Sequence, residues 1–143
     1  MKFKGDIIIT DPCYVIRADH HDTKPITEDD WETCSYGSDM QSLGFSNNYL
    51  CNDTIYGDWS CTTYEKGTDK VLGEFCADAG LVSVFLLSEV LKYNPDFDYH
   101  IEKPWTTTLI KDFDGDIIAV TENDELHLEG KGNINFYTAQ TGL

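Results

Sequence analysis

Residues 105–138 read WTTTLIKDFDGDIIAVTENDELHLEGKGNINFYT, and this stretch decides the fold class. Trp105 to Phe113 is rich in threonine and β-branched residues, which suit a pleated, half-buried surface. Asp114-Gly115 then reads as a two-residue hairpin turn, because such turns need positive φ and Asp-Gly supplies it. On that reading Asp116 to Thr121 pairs back. Asn123-Asp124 turns the chain again, and Leu126 to Glu129 alternates. Gly130-Lys131-Gly132 turns once more, and Asn133 to Thr138 closes a meander.

The same pattern extends toward the N-terminus. Gly5 to Thr10 is a β-branched run ended by Asp11-Pro12, so it reads as a buried strand followed by a turn. Tyr49 to Cys51 is a short strand. Asp58 to Glu65 alternates, Lys66 to Asp69 turns, and Val71 to Cys76 returns. Asp78-Ala79-Gly80 bends the chain ahead of a strand from Leu81 to Phe85. Ser88 to Tyr93 is a short helix, stopped before Asn94-Pro95. Thr27 has the spacing of a helix cap for a segment through Cys34, and Ser38 repeats it. His20-His21-Asp22 falls in a polar loop running from Ala18 to Pro25. The 143 residues therefore predict one mostly β (α+β) domain spanning 1–143. It is a single antiparallel sheet, or a barrel-like form of one, with one or two short helices. Apolar residues at 41% and aromatics at 13% are enough for a core and argue against disorder.

Charge excludes more than it identifies. Lys and Arg number 10 against 26 Asp and Glu, a net charge of −16. Nucleic-acid binding needs clustered Lys and Arg, whereas this chain has scattered lysines and one arginine, Arg17. Anionic membrane surfaces are excluded for the same reason, and no apolar run approaches the ~18 residues of a membrane span. DNA mimicry by average charge also falls short. The mass predicts about 7,500 Å² of surface, or roughly one net charge per 470 Å², against roughly one per 100 Å² on duplex DNA. What remains is a basic protein partner. Five cysteines form no CxxC pair, and the N-terminus lacks a signal-peptide pattern. Both features lead to an expectation of five reduced thiols in a cytoplasmic protein.

No catalytic or cofactor motif is present: GxGxxG, the P-loop, GxSxG and HExxH are all missing. Asp112, Asp114 and Asp116 resemble the opening of a calcium loop, but Gly115 stands fourth rather than sixth and Asn123 occupies the twelfth position. No metal site is expected there. Cys13 and Cys76 are candidate nucleophiles, with His20, His21, His100 and His127 as candidate bases, yet no local signature surrounds them. Cys61 and Cys76 read as small buried hydrophobes.

Gly5-Asp6-Ile7-Ile8-Ile9-Thr10 followed by Asp11-Pro12-Cys13-Tyr14 resembles the opening of a group of small bacterial and phage proteins of unknown function. Trp31 and Ser35-Tyr36-Gly37 stand in similar order. Tyr56 to Tyr64 and Ala77 to Phe85 are similar to that group's "GDGxY" and "DAGxxxVF" segments, with Trp59 in place of the second glycine. The resemblance implies a compact β-rich domain and no activity. Its motif residues also have physical readings. Asp11 is extended before Pro12 and able to cap the turn. Tyr14 can bury its ring, and Gly57 and Gly80 permit positive φ. A binding pocket, if built here, would use Asp11, Tyr14, Trp59 and Asp78. Two functions follow. The first is a non-enzymatic interaction or inhibitor protein with a basic partner, phage- or mobile-element-borne on the resemblance alone. The second is a small-molecule-binding domain or cysteine-dependent enzyme with its site near the DPCY turn.

Overall fold

The computed structural model describes residues 1–15, 49–53, 59–77, 80–101, 105–123 and 125–142. The polar loop at 18–25, the capped segments at Thr27 and Ser38, and the motif residues Trp31, Ser35 to Gly37, Gly57 and Asp78 lie outside them. The described strands are β1 (Lys2–Thr10), β2 (Tyr49–Asp53), β3 (Ser60–Glu65), β4 (Val71–Cys76), β5 (Leu81–Leu86), β6 (Thr107–Glu122), β7 (Glu125–Gly132) and β8 (Phe136–Gly142). They form one antiparallel sheet in the order β2-β5-β1-β6-β7-β8-β3-β4. The sheet stays open rather than closing into a barrel, with β2 and β4 at its two ends. One helix, α1 (Leu87–Tyr93), and short helical turns at Pro12–Tyr14, Pro95–Phe97 and Asp98–Ile101 complete the described elements. None of the described helices is long and apolar enough to cross a membrane.

β1 lies between β5 and β6 and is buried on both faces, which is why its isoleucine run carries no polar alternation. Ile7 and Ile9 face an inner core with Phe3, Phe75, Phe113, Ile117, Leu128 and Phe136. Ile8 faces the other way, into a second core with Leu81, Phe85, Val90 and Phe97. α1 and the Pro95–Phe97 turn roof this second core, since Val90 and Phe97 belong to them. The sheet curls so that β4 comes back over β6, where Thr63 and Thr108 hydroxyls meet at 3.1 Å and Thr108 donates to the Glu74 carbonyl at 3.3 Å.

The expected hairpin at Asp114-Gly115 does not form. β6 runs 16 residues straight through it, pairing with β1 on one side up to Lys2↔Asp116 and with β7 on the other. The chain reverses instead between the paired residues Glu122 and Glu125, where Asn123 has φ 54°. Gly115 serves close strand approach: it stands opposite Gly132, and a β-carbon on either would collide with backbone of the other strand. The positive φ is at Asp112, 53°, where β6 carries an extra residue relative to β1 between the Gly5 and Ile7 pairs. This bulge keeps both Ile110 and Phe113 on the inner face despite their odd spacing. It is held by the Asp112 amide donating to Asp6 Oδ1 at 2.9 Å and by Asn133 Nδ2 donating to the Asp112 carbonyl at 2.6 Å. The turn expected at Gly130 to Gly132 is likewise strand, and β8 begins at Phe136 rather than Asn133.

The β7–β8 ladder is short, with Glu129↔Tyr137 and Gly130↔Phe136 as its paired residues. Farther along, side chains take over. Thr138 Oγ1 accepts from the Leu128 amide at 2.8 Å, and Glu125 Oε1 accepts from the Gln140 amide at 2.6 Å. Gly130 lies under the Phe136 ring, and a β-carbon there would overlap the ring carbons. Phe136 is fully buried and cannot retreat. Gly130→Ala is expected to destabilise the fold by about 2 kcal/mol or more through overpacking, read as a lower urea midpoint with an unchanged slope.

Candidate functional site

The DPCY turn is built around a buried carboxylate. Asp11 is fully buried. Its Oδ1 accepts from the Cys13 amide at 2.9 Å, and its Oδ2 accepts from the Leu81 amide at 3.3 Å. One side chain therefore caps the helical turn that Pro12 opens and ties it to the first residue of β5. Asn94 Nδ2 secures the end of the same segment, donating to the Val15 carbonyl at 3.1 Å. Tyr14 packs partly buried against the second core. Trp59 packs against the inner core, on the opposite face of the sheet, and its carbonyl accepts from the Ala77 amide at 2.8 Å. Tyr14 and Trp59 thus serve different cores, and Asp78 lies outside the described residues.

A group of hydroxyls that the motif reading did not single out lies beside Asp11. Thr10, Ser83, Thr106, Thr107 and Thr108 are all buried. Ser83 Oγ donates to the Thr10 carbonyl at 2.6 Å, Thr107 donates to Thr10 Oγ1 at 3.1 Å, and Thr10 donates to the Thr106 carbonyl at 3.2 Å. The signal was present: three consecutive threonines after Trp105, and a lone serine inside the apolar run Leu81 to Leu87. These bonds join hydroxyls to hydroxyls and backbone carbonyls, so they lock the ends of β1, β5 and β6 and offer no base to activate a nucleophile.

Cys13, Cys51, Cys61 and Cys76 are thiols rather than disulfide partners, and Cys34 lies outside the described residues. Cys76 Sγ donates to the Trp105 carbonyl at 3.2 Å. Burial, with Cys76 and Glu125 adding to it, pushes the Cys61 thiol up to about 12. His127, the one candidate base whose side chain is described, turns its Nε2 to Glu129 Oε1 at 3.4 Å. No three metal-ligating side chains come together among the described residues, and Asp112, Asp114 and Asp116 are spread along β6. Described residues line clefts, of which two are well formed. One, of about 350 Å³, is lined by Lys4, Gly5, Asp6, Leu86, Leu87, Ser88 and Leu91. The other, of about 200 Å³, is lined by Lys66, Glu129, Gly130, Lys131, Asn135 and Phe136. Neither includes Asp11, Tyr14 or Trp59.

The electrostatics are distinctive. His127 Nε2 and Glu129 Oε1 make the one close approach of a basic to an acidic side chain among the described residues, and no described lysine is paired with a described carboxylate. Three described carboxylates accept from the chain's own donors: Asp6 from the Asp112 amide, Glu125 from the Gln140 amide, and Asp69 from the Tyr137 hydroxyl at 2.8 Å. Glu122 and Glu125 even stand directly opposite one another across β6 and β7.

No protein-family model matches this chain, and no curated protein or solved structure matches it.

Two outcomes test this description. Asp11→Asn is expected to cost about 1–3 kcal/mol of stability by weakening the acceptors of two backbone amides, read by urea denaturation. Thiol titration of freshly purified, denatured protein should find all five cysteines. In the native protein at pH 8, Cys61 should alkylate slowest, because the thiolate is the reactive form and its pKa is far above that pH. Mass mapping after a short iodoacetamide pulse checks this, and prompt labelling of native Cys61 would contradict its burial.

Proposed function

We propose that this chain is a non-enzymatic interaction protein that captures a basic protein partner through its acidic surface. The observation that carries the reading is the charge excess: the chain has a net charge of −16, and no described lysine is paired with a described carboxylate. Solubility of a small domain asks for a net charge of only ~2–8. The excess repels itself and costs stability, and a basic partner would offset that cost. The bonds of Asp11 to two backbone amides, and of the neighbouring hydroxyls to carbonyls and one another, support a structural role for the DPCY turn rather than a reactive one. Inhibition of the partner is one form that such capture takes.

Electrostatic complementarity acts mainly on association, and its range shrinks to ~8 Å at physiological salt. A protein retained from native lysate at low salt should therefore associate about tenfold or more slowly at 500 mM salt, with much less change in its dissociation rate. Surface plasmon resonance with the retained protein measures both. If nothing is retained at low salt, or if every basic protein is retained alike, the acidity is only solubilising.

A further inference from the structure

β8 is held unequally by its two neighbours. Against β3 it pairs from Glu65↔Phe136 to Ser60↔Gly142, and the Thr62 and Thr141 hydroxyls meet at 3.0 Å. Against β7 the ladder ends at Glu129↔Tyr137. Past that pair two side chains hold the seam. Thr138 Oγ1 accepts from the Leu128 amide at 2.8 Å, and Glu125 Oε1 accepts from the Gln140 amide at 2.6 Å. Among the described residues, the Glu125 carboxylate is therefore the outermost tie between β7 and β8. The end of the inner core lies at this seam. Leu126 of β7 and Cys61 of β3 both belong to it, at 7% and 3% exposure, and Cys61 stands opposite Gln140. Gln140 Nε2 is buried without a hydrogen-bond partner among the described residues, a cost that the closed seam carries and an opened one does not.

We propose that Glu125 is an acid-sensitive latch: as a carboxylate it shuts the β7–β8 seam, and once protonated it lets this end of β8 part from β7 and admits small solutes to Cys61. The groups around it set the direction of the switch. A carboxylate accepts from an amide about twice as strongly as a neutral acid does, so proton uptake weakens the tie to Gln140. From β6, Glu122 faces Glu125 directly across the ladder. Opposed carboxylates repel, so the same proton tightens the β6–β7 hairpin while it loosens the β7–β8 seam. On β7 itself, His127 turns to Glu129. From β3, the Cys61 thiol interacts with Glu125 and stays protonated, its pKa pushed up to about 12. On β8, residues 138–142 carry no titratable side chain, and Asp124 lies outside the described residues. The β3–β8 ladder consists of backbone bonds that acid leaves intact, so β8 stays with β3 when the latch lets go.

The test exposes the native full chain to 4,4′-dithiodipyridine, which labels thiols in acid as well as at neutrality, and maps the labelled cysteines by mass. The Cys61 rate is divided by its rate in denatured protein at the same pH, which cancels the thiolate fraction. This relative rate should rise about fivefold or more between pH 7 and about pH 4. Glu125→Gln keeps an acceptor oxygen and does not titrate, so its relative rate should be the same at both pH values. Glu125→Ala takes the acceptor from the Gln140 amide, and Cys61 should label readily at both. Amide exchange supplies a second reading: protection at Gln140 should fall in acid, while Ile8, in the second core, keeps its own. Equal shielding of Cys61 at both pH values would overturn the latch. So would an unchanged acid response in Glu125→Gln, which moves the trigger to another group. Loss of protection at Ile8 by the same factor as at Gln140 would make the response general unfolding and overturn it as well.

Discussion

The double burial of β1 is the constraint from which the rest of the sheet follows. A strand with Ile7 and Ile9 on one face and Ile8 on the other must be covered on both. The inner face is covered by the sheet's own curl, which brings Phe75 of β4 and Phe136 of β8 over it. The outer face has no sheet to cover it, so helical segments do so, with Val90 and Phe97 as their anchors. The helices reach only as far as Leu109, where β6 leaves the second core. Beyond that point, among the described residues, the outer face carries polar, aromatic and isolated aliphatic side chains. One hydrophobic demand thus sets where the described helices pack on a single sheet.

Polar groups are handled differently inside and outside this framework. Inside, buried hydroxyls and the Asp11 carboxylate are matched to backbone donors and acceptors, as a low-dielectric interior requires. Outside, charge is scattered with little pairing. Exposed ion pairs contribute little to stability, so their scarcity costs the fold almost nothing and leaves a long-range field intact. The molecule's rigidity and its electrostatic reach therefore come from separate sets of residues.

Much of this was legible in the chain. The Gly5 to Thr10 run, the strand Val71 to Cys76 and a reversal at Asn123 are legible because local pattern and tertiary role agree there. Asp114-Gly115 misled because the same dipeptide serves two purposes. Its glycine answers to Gly132 across the sheet, a partner 17 positions away that no local window contains. The bulge at Asp112 was hidden for a related reason. It needs Asp6 and Asn133 to hold it, and it breaks the alternation by which a continuous strand would have been recognised. Among the candidate site residues, Asp11 was correctly placed as a capping group from Asp-Pro alone, whereas its second bond, to Leu81, depends on the topology.

β8 is last of the eight strands in chain order, yet it lies inside the sheet, between β7 and β3. It is what attaches the β3–β4 hairpin to the remaining strands. During synthesis, β3 and β4 leave the ribosome well before the strand that receives them, and one edge of β3 has no ladder until then. The inner core cannot close in the meantime, because Phe136 arrives with β8. Completion of the fold therefore waits on β8, and a nascent chain stalled before Phe136 exposes both an apolar face and an open strand edge, the combination that chaperones recognise and that otherwise aggregates.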